Sequence, residues 1–145
     1  MVGVSIKNET RSVVGRPRSV FSDIAKSVLP KWEISLVFVG AKKARTLNKQ
    51  LRGKDYIPNV LSYVVGEKSG EIIICPDEAV RQATASQLPA SSFQLLLFIH
   101  GVLHIKGWAH SATMEKCEHN LLAHYEATYS HRHRHRHAPN KNGRR

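Results

Sequence analysis

Ser91-Ser92-Phe93-Gln94-Leu95-Leu96-Leu97-Phe98-Ile99-His100-Gly101-Val102-Leu103-His104-Ile105-Lys106-Gly107 is apolar on nearly every side of a helix drawn through it. Such a helix has no wide face for water, so it belongs in the middle of a domain with other elements packed around it. Its strongest run, Leu95 to Ile99, is stopped by His100 and falls far short of the roughly 20 apolar residues a membrane span needs. Gly107 is the natural terminator, because glycine takes up the left-handed conformation that ends a helix without strain.

Working outward, the flanking segments supply the cover that this helix needs. Val2, Val4 and Ile6 alternate and predict a strand. After Ser19, the residues Val20, Phe21, Ile24, Ala25, Val28 and Leu29 recur at helical spacing until Pro30. Ile34, Leu36, Phe38 and Val39 predict a second strand ended by Gly40, and Lys42 to Leu51 a helix with Ala44, Leu47 and Leu51 inward. Arg52 to Val60 is charged and rich in turn formers, which predicts a loop. Leu61 to Val65 and Glu71 to Cys75 predict two further strands, joined by Gly66-Glu67-Lys68-Ser69-Gly70 into an antiparallel hairpin. Pro76 and Asp77 open a helix to about Gln87. Thr113 caps a last one to about Tyr129, with Met114, Cys117, Leu121, Leu122 and Tyr125 inward. The expected fold class is α/β (α+β): one compact domain with a small mixed sheet of about four strands and about five helices around the buried central helix.

A chain of 145 residues with 41% hydrophobic content is one domain's worth and can bury a core without disulfides. Cys75 and Cys117 form no CxxC pair and suit free thiols in a reducing compartment. The first nineteen residues hold no apolar stretch of signal-peptide length, so the cytoplasm is the expected location. Lys and Arg number 22 against 11 Asp and Glu, a net +11. The excess is uneven: the last fifteen residues carry six bases and no acid, which leaves residues 1–130 at 16 bases against 11 acids, or +5. Residues 1–54 hold twelve of those bases and three acids. A basic front half fits a polyanionic partner such as nucleic acid, and fits a cationic soluble surface equally well. His131 to His137 alternates with arginine and the rest of the tail is polar. Residues 131–145 are therefore expected to be a disordered basic extension to a domain at 1–130.

The chemistry concentrates at the end of the apolar helix. His100 and His104 stand at i and i+4, on one helix face, and can aim their imidazoles at one point. A chain turned back by Gly107 brings His110 to a third ligand position. Three neutral imidazoles with an open fourth site form a catalytic zinc arrangement, in which bound water titrates near about pH 7. The alternative is a set of core histidines, each satisfied by its own carbonyl or hydroxyl. Two in register plus a glycine-turn-histidine continuation favour the metal, since every buried imidazole otherwise needs a separate partner. The spacing H-x3-H-x2-G-x2-H is also that of the metzincin proteases. Gly101 stands where those enzymes carry their glutamate base, which weakens a peptidase reading.

The segment His100 to His110, HGVLHIKGWAH, resembles the H-G-x-L-H-L-x-G-[YF]-D-H signature of the YbeY family of zinc-dependent bacterial endoribonucleases. Leu47-Asn48 with Arg52-Gly53-Lys54-Asp55, and Asn59-Val60-Leu61-Ser62-Tyr63, are similar to that family's L-N-x-x-[YF]-R-G-K-D and [DN]-V-L-S-F stretches. Gly70 to Ile74 is similar to its G-D-I-x-I strand, and Met114 and Glu118 to its M-x-x-E-E region. The resemblance runs in order from about Ile34 to about Tyr125. It implies one Zn2+ held by His100, His104 and His110, and Arg52 lining a cleft for RNA. It implies further a single-strand endoribonuclease working in ribosomal RNA maturation and ribosome quality control, with RNA, the ribosome or ribosomal proteins as partners and no membrane. A guanidinium at Arg52 suits that role, because it clamps a phosphate through two parallel hydrogen bonds. Lys42, Lys43, Arg45, Lys49 and Lys54 read equally as a phosphate-tracking approach and as a solvated face.

The chain departs from the family pattern in places. The aspartate usual before the third histidine is Ala109, Ile57-Pro58 precedes the V-L-S stretch, and Leu51 and Val64 replace an aromatic and a proline. An outer carboxylate beside a metal ligand is typically worth about 10 to 100-fold in affinity or activity, so Ala109 is where the metal site is expected to be weakened. Asp55, Glu71 and Glu118 are the candidate proton acceptors. Two other classes of function stay open on the sequence: a non-catalytic ribosome- or RNA-binding protein with a structural metal, and a metal-dependent peptidase.

Overall fold

Three parallel strands and one antiparallel edge form the sheet, in the order β1-β2-β4-β3. The computed structural model describes residues 3–136, with side chains through residue 129. Along the chain run β1 (Gly3–Asn8), α1 (Arg18–Val28), β2 (Glu33–Phe38), α2 (Ala41–Arg52), β3 (Val60–Gly66) and β4 (Ser69–Ile74). Then come α3 (Pro76–Ser86), α4 (Ala90–Lys106) and α5 (Ala112–Arg136). β1 pairs with β2 in parallel, and β2 with β4, so the expected β3–β4 hairpin lies with β4 inside the sheet and β3 at its edge. The expected class, a single α/β domain with a four-stranded mixed sheet and five helices among the described residues, is the one observed.

Strand alternation divides the core in two. Val4, Ile34, Leu36, Phe38, Ile72 and Ile74 face α1, α4 and α5 and form the larger cluster. Val39, Leu61, Ile73 and Cys75 face the other way and are covered by Ala44 and Leu47 of α2. Helix α4 packs against β3, β4, α1, α3 and α5, and Leu95, Phe98, Ile99 and Val102 are fully buried. Phe98 meets Phe21 of α1 edge to face, with ring centroids 5.0 Å apart. A helix wrapped on that many sides needs the all-round apolar pattern read from the sequence.

Two glycines let α4 lie close on the sheet. A Cβ at Gly101 would stand 3.1 Å from the Ile72 side chain, and one at Gly70 would stand 2.8 Å from Ile105 Cδ1. Gly107 ends α4 with φ 106°, and its N–H donates to the His104 carbonyl at 2.9 Å.

Four local expectations are corrected. Leu51 is 48% exposed, and the inward position on α2 belongs to Asn48, which is fully buried. Asn48 is tolerated there because its Nδ2 donates to the Tyr56 carbonyl at 3.0 Å, tying the following loop to the helix. Arg52 is the last residue of α2 rather than part of the loop. The last helix is capped by Ser111, whose Oγ accepts from the Met114 N–H at 3.1 Å, and not by Thr113. Helix α5 also continues to Arg136, so residues 131–136 of the expected disordered tail extend the helix. No glycine or proline falls between Ala112 and Arg136. Residues 137–145 lie outside those described. Among the described residues no single helix is long and apolar enough to cross a membrane; only α3 and α4 together reach that composition, and they are bent by 106°.

Candidate metal centre and its cleft

Helix α4 delivers two imidazoles and the turn after it a third. The ring centroids of His100 and His104 are 4.3 Å apart, those of His104 and His110 4.3 Å, and those of His100 and His110 5.0 Å. One nitrogen from each ring falls within 4.8 Å of the other two, close enough for a single ion to be held by all three. The two helical rings face each other through Nε2, at 2.9 Å. Their Nδ1 atoms point outward to fixed partners: His100 Nδ1 lies 2.5 Å from Glu118 Oε1, and His104 Nδ1 lies 2.9 Å from the Trp108 carbonyl. An outer partner on Nδ1 turns Nε2 and its lone pair inward, which is how a ligating histidine is oriented. Burial, followed by the neighbouring His100, holds the His104 imidazole below its ordinary pKa. It is therefore neutral, with its lone pair available, at pH 7. This nitrogen-only donor set suits a zinc-class divalent ion, and three protein ligands leave a position open.

The imidazoles form one wall of a cleft of about 290 Å³, and Val60, Leu61, Ser62 and Arg52 form the other. Arg52 reaches it because α2 stops there. Gly53, left-handed at φ 67°, donates its N–H to the carbonyls of Asn48 and Lys49 and turns the chain out of the helix. The guanidinium is exposed and makes no hydrogen bond or ion pair among the described residues. Among the other bases of α2, Lys43 is paired with Glu9 at 2.6 Å and Arg45 with Asp55 at 2.8 Å.

A family model described as "Endoribonuclease YbeY" matches residues 5–131. The chain belongs to the YbeY family. It is 34% identical over 99 residues to the endoribonuclease YbeY of Aromatoleum aromaticum, matching 63% of this chain and 64% of that one. It is 36% identical over 93 residues to that of Thiobacillus denitrificans, 59% of this chain and 63% of the relative. With the Paraburkholderia phytofirmans protein the identity is 32% over 118 residues, 74% and 77% of the two chains. The chain thus spans just under two thirds of the length of the first two relatives. The solution structure of a Thermotoga maritima protein superposes with a TM-score of 0.67 at 21% identity, over 98% of this chain and 99% of that one, and so has the same fold.

Against the YbeY pattern, the candidate proton acceptors separate. Asp55 is engaged by Arg45, first through the hydrogen bond and then through charge, which holds its carboxyl below the usual range. Glu71 stands beside Tyr63, whose hydroxyl is pushed up to about 12 by burial and then by that carboxylate. Only Glu118 touches a histidine, and it does so from outside the cleft, lining a second cavity of about 530 Å³ with His100, His110 and His119. Among the described residues no carboxylate lines the histidine cleft itself.

The Ala109 departure from the YbeY signature is narrowed as well. Glu118 and the Trp108 carbonyl orient His100 and His104, so residue 109 is not needed for either. His110 is exposed and has no hydrogen-bonded outer partner among the described residues, and the missing carboxylate bears on it alone. In the sequence Glu118 reads as a possible proton acceptor, whereas in the fold it sits on His100. The signal was present: Met114, Glu118 and Leu122 recur at i, i+4 and i+8 on the buried face of α5, with a carboxylate in an otherwise apolar stripe.

Proposed function

We propose that this chain is a zinc-dependent endoribonuclease that cuts single-stranded RNA, acting in the cytoplasm on ribosomal RNA precursors with the ribosome or its proteins as partner. The observation that carries the reading is the meeting of three oriented imidazoles with an uncommitted guanidinium across one cleft. Membership of a family named for endoribonuclease activity supports it.

Each wall has its own task. His100, His104 and His110 hold the ion, which when bound supplies a Lewis acid for phosphoryl oxygens and makes water more acidic. Arg52 donates to the scissile phosphate and offsets the charge that grows as phosphorus becomes five-coordinate. The Ser62 side chain adds a hydroxyl within the cleft, and Val60 and Leu61 limit the water that reaches it. Either water or the substrate's own 2′-hydroxyl can serve as nucleophile in this geometry.

A second reading, an RNA-binding protein with a structural metal, is favoured by the cleft's lining, which among the described residues includes no carboxylate. A peptidase is disfavoured, because Gly101 stands where such an enzyme carries its glutamate and is buried against Ile72, whose side chain would have to shift for any added Cβ.

Zinc content and RNA cleavage measured on the native chain, His104→Ala and Arg52→Ala test these readings together. His104→Ala is expected to lose about one zinc per chain relative to the native protein, a difference that subtracts ions held by other histidines, and to lose cleavage with it. Arg52→Ala is expected to keep the zinc and lose cleavage by about 100-fold. RNA binding with no cleavage by the native chain would leave the binding protein standing. Proteolysis that disappears with His104 would restore the peptidase.

A further inference from the structure

A third cavity, of about 300 Å³, lies beside the histidine cleft, and Arg52 and Val60 line both. Its remaining walls come from the loop before β3 and from α3, elements to which the metal chemistry assigns no task. Glu78, although buried, accepts from Arg81 Nη2 at 2.7 Å and from Gln82 Nε2 at 3.1 Å. Gln82 Oε1 in turn accepts from Asn59 Nδ2 at 2.6 Å. The two amides are therefore held in fixed orientation by a buried carboxylate, at the wall of a cavity large enough for a small ligand. Tyr56 lines the same cavity and is 50% exposed, while its backbone carbonyl is anchored by the fully buried Asn48. Arg81 commits one nitrogen to Glu78 and is otherwise exposed.

An exposed aromatic ring, a fixed amide pair and two guanidiniums are the parts that bind an unpaired nucleotide. The ring stacks on the base, the amides meet its polar edge and the cations hold the flanking phosphates. Surface tyrosines and amides occur singly on any protein. Here they line one cavity that shares Arg52 and Val60 with the cleft of the metal centre.

We propose that the cavity between α3 and the Tyr56–Asn59 loop is a nucleotide subsite. It takes the unpaired base next to the scissile phosphate, with Tyr56 as its stacking platform and Asn59 and Gln82 as its hydrogen-bonding edge. The proposal rests on the RNA-cleaving reading above and adds to it where specificity resides. Arg52 bridges the two cavities, so one guanidinium contacts the phosphate that joins the bound nucleotide to the bond being cut.

The test uses the zinc-loaded full chain and a set of single-stranded oligoribonucleotides, each with one abasic position moved along the strand. For the native chain, one abasic position beside the cleavage site should raise KM by about tenfold, the worth of one stacked base. Tyr56→Ala should raise KM by a similar factor on intact RNA and add nothing on that abasic substrate. Tyr56→Phe, which keeps the ring, should recover most of the KM loss seen in Tyr56→Ala, and Gln82→Ala should alter the preference among bases at that position. An equal loss by Tyr56→Ala on every substrate, or no loss on any, would overturn the subsite. If the native chain cuts no RNA, the cleavage reading fails separately, and the same comparison is made by fluorescence anisotropy of binding. A Tyr56-dependent loss confined to RNA with the base present would then keep the subsite, and uniform affinity would remove it.

Discussion

The two walls of the cleft are built on different plans. The histidine wall comes from one unbroken segment, His100 to His110, in which helix period and a glycine turn set every ligand. The opposite wall gathers Arg52 from the end of α2 and Val60 to Ser62 from the sheet edge, and continues through Arg52 into the cavity lined by α3. The first wall is anchored by α4, most of which is buried against β3, β4, α1, α3 and α5, with His110 on the exposed turn that follows. The second carries its exposed groups, Arg52, Tyr56 and Arg81, on half-buried supports held by a few polar ties, such as Asn48 to Tyr56 and Gln82 to Glu78. A metal centre needs fixed donors, and a groove for a variable polymer needs accessible ones, so the difference matches the division of labour proposed for them.

The largest effect that would break this contrast is expected at Gly101. A Cβ there already stands 3.1 Å from Ile72, and a glutamate would place an unpaired charge between α4 and β4. Gly101→Glu should cost about 3 to 5 kcal/mol or more, seen as a large drop in the thermal unfolding midpoint or a failure to fold. A variant as stable as the native chain would mean that the histidine wall is not pinned to the sheet. It would also remove the steric objection to a peptidase.

The same contrast explains what the sequence disclosed. All-round apolarity placed α4, and i, i+4 spacing followed by Gly107 placed His100, His104 and His110, because these relations are local and follow from helix geometry alone. The burial of Asn48 in place of Leu51 is not legible in the sequence, because it depends on an acceptor, the Tyr56 carbonyl, that only the folded loop brings within reach. Glu118 stood in plain view on the buried stripe of α5, yet its partner His100 lies eighteen residues earlier on another helix. Tyr56, Asn59 and Gln82 carry no spacing signal at all, since a cavity wall assembled from a loop and a distant helix leaves no period in the chain.

A smaller effect is expected at Glu118. It holds the outer nitrogen of His100, and loss of such a partner typically lowers metal affinity by about 10 to 100-fold. Glu118→Gln keeps the shape and a hydrogen-bonding oxygen but removes the charge. Competition against a zinc chelator should therefore show weakened binding, with the fold intact by circular dichroism. Unchanged affinity would mean that the buried carboxylate serves only the packing of α4 on α5, and the histidine wall would then owe its geometry to the backbone alone.

The smallest effect concerns the one histidine that lacks such a partner. His110 sits on the exposed turn, and Ala109 beside it is exposed too, so a new side chain there meets solvent rather than core. Ala109→Asp should leave the unfolding midpoint within the narrow range of ordinary surface changes. By giving His110 an outer acceptor, it should also tighten zinc by a fewfold, up to about tenfold. The gain should be seen against the native chain and lost in the Ala109→Asp, His110→Ala double variant, because the added carboxylate acts through that imidazole. If zinc affinity does not move, His110 is already oriented by the turn that Gly107 begins. The histidine wall would then be complete without the aspartate that the family signature carries.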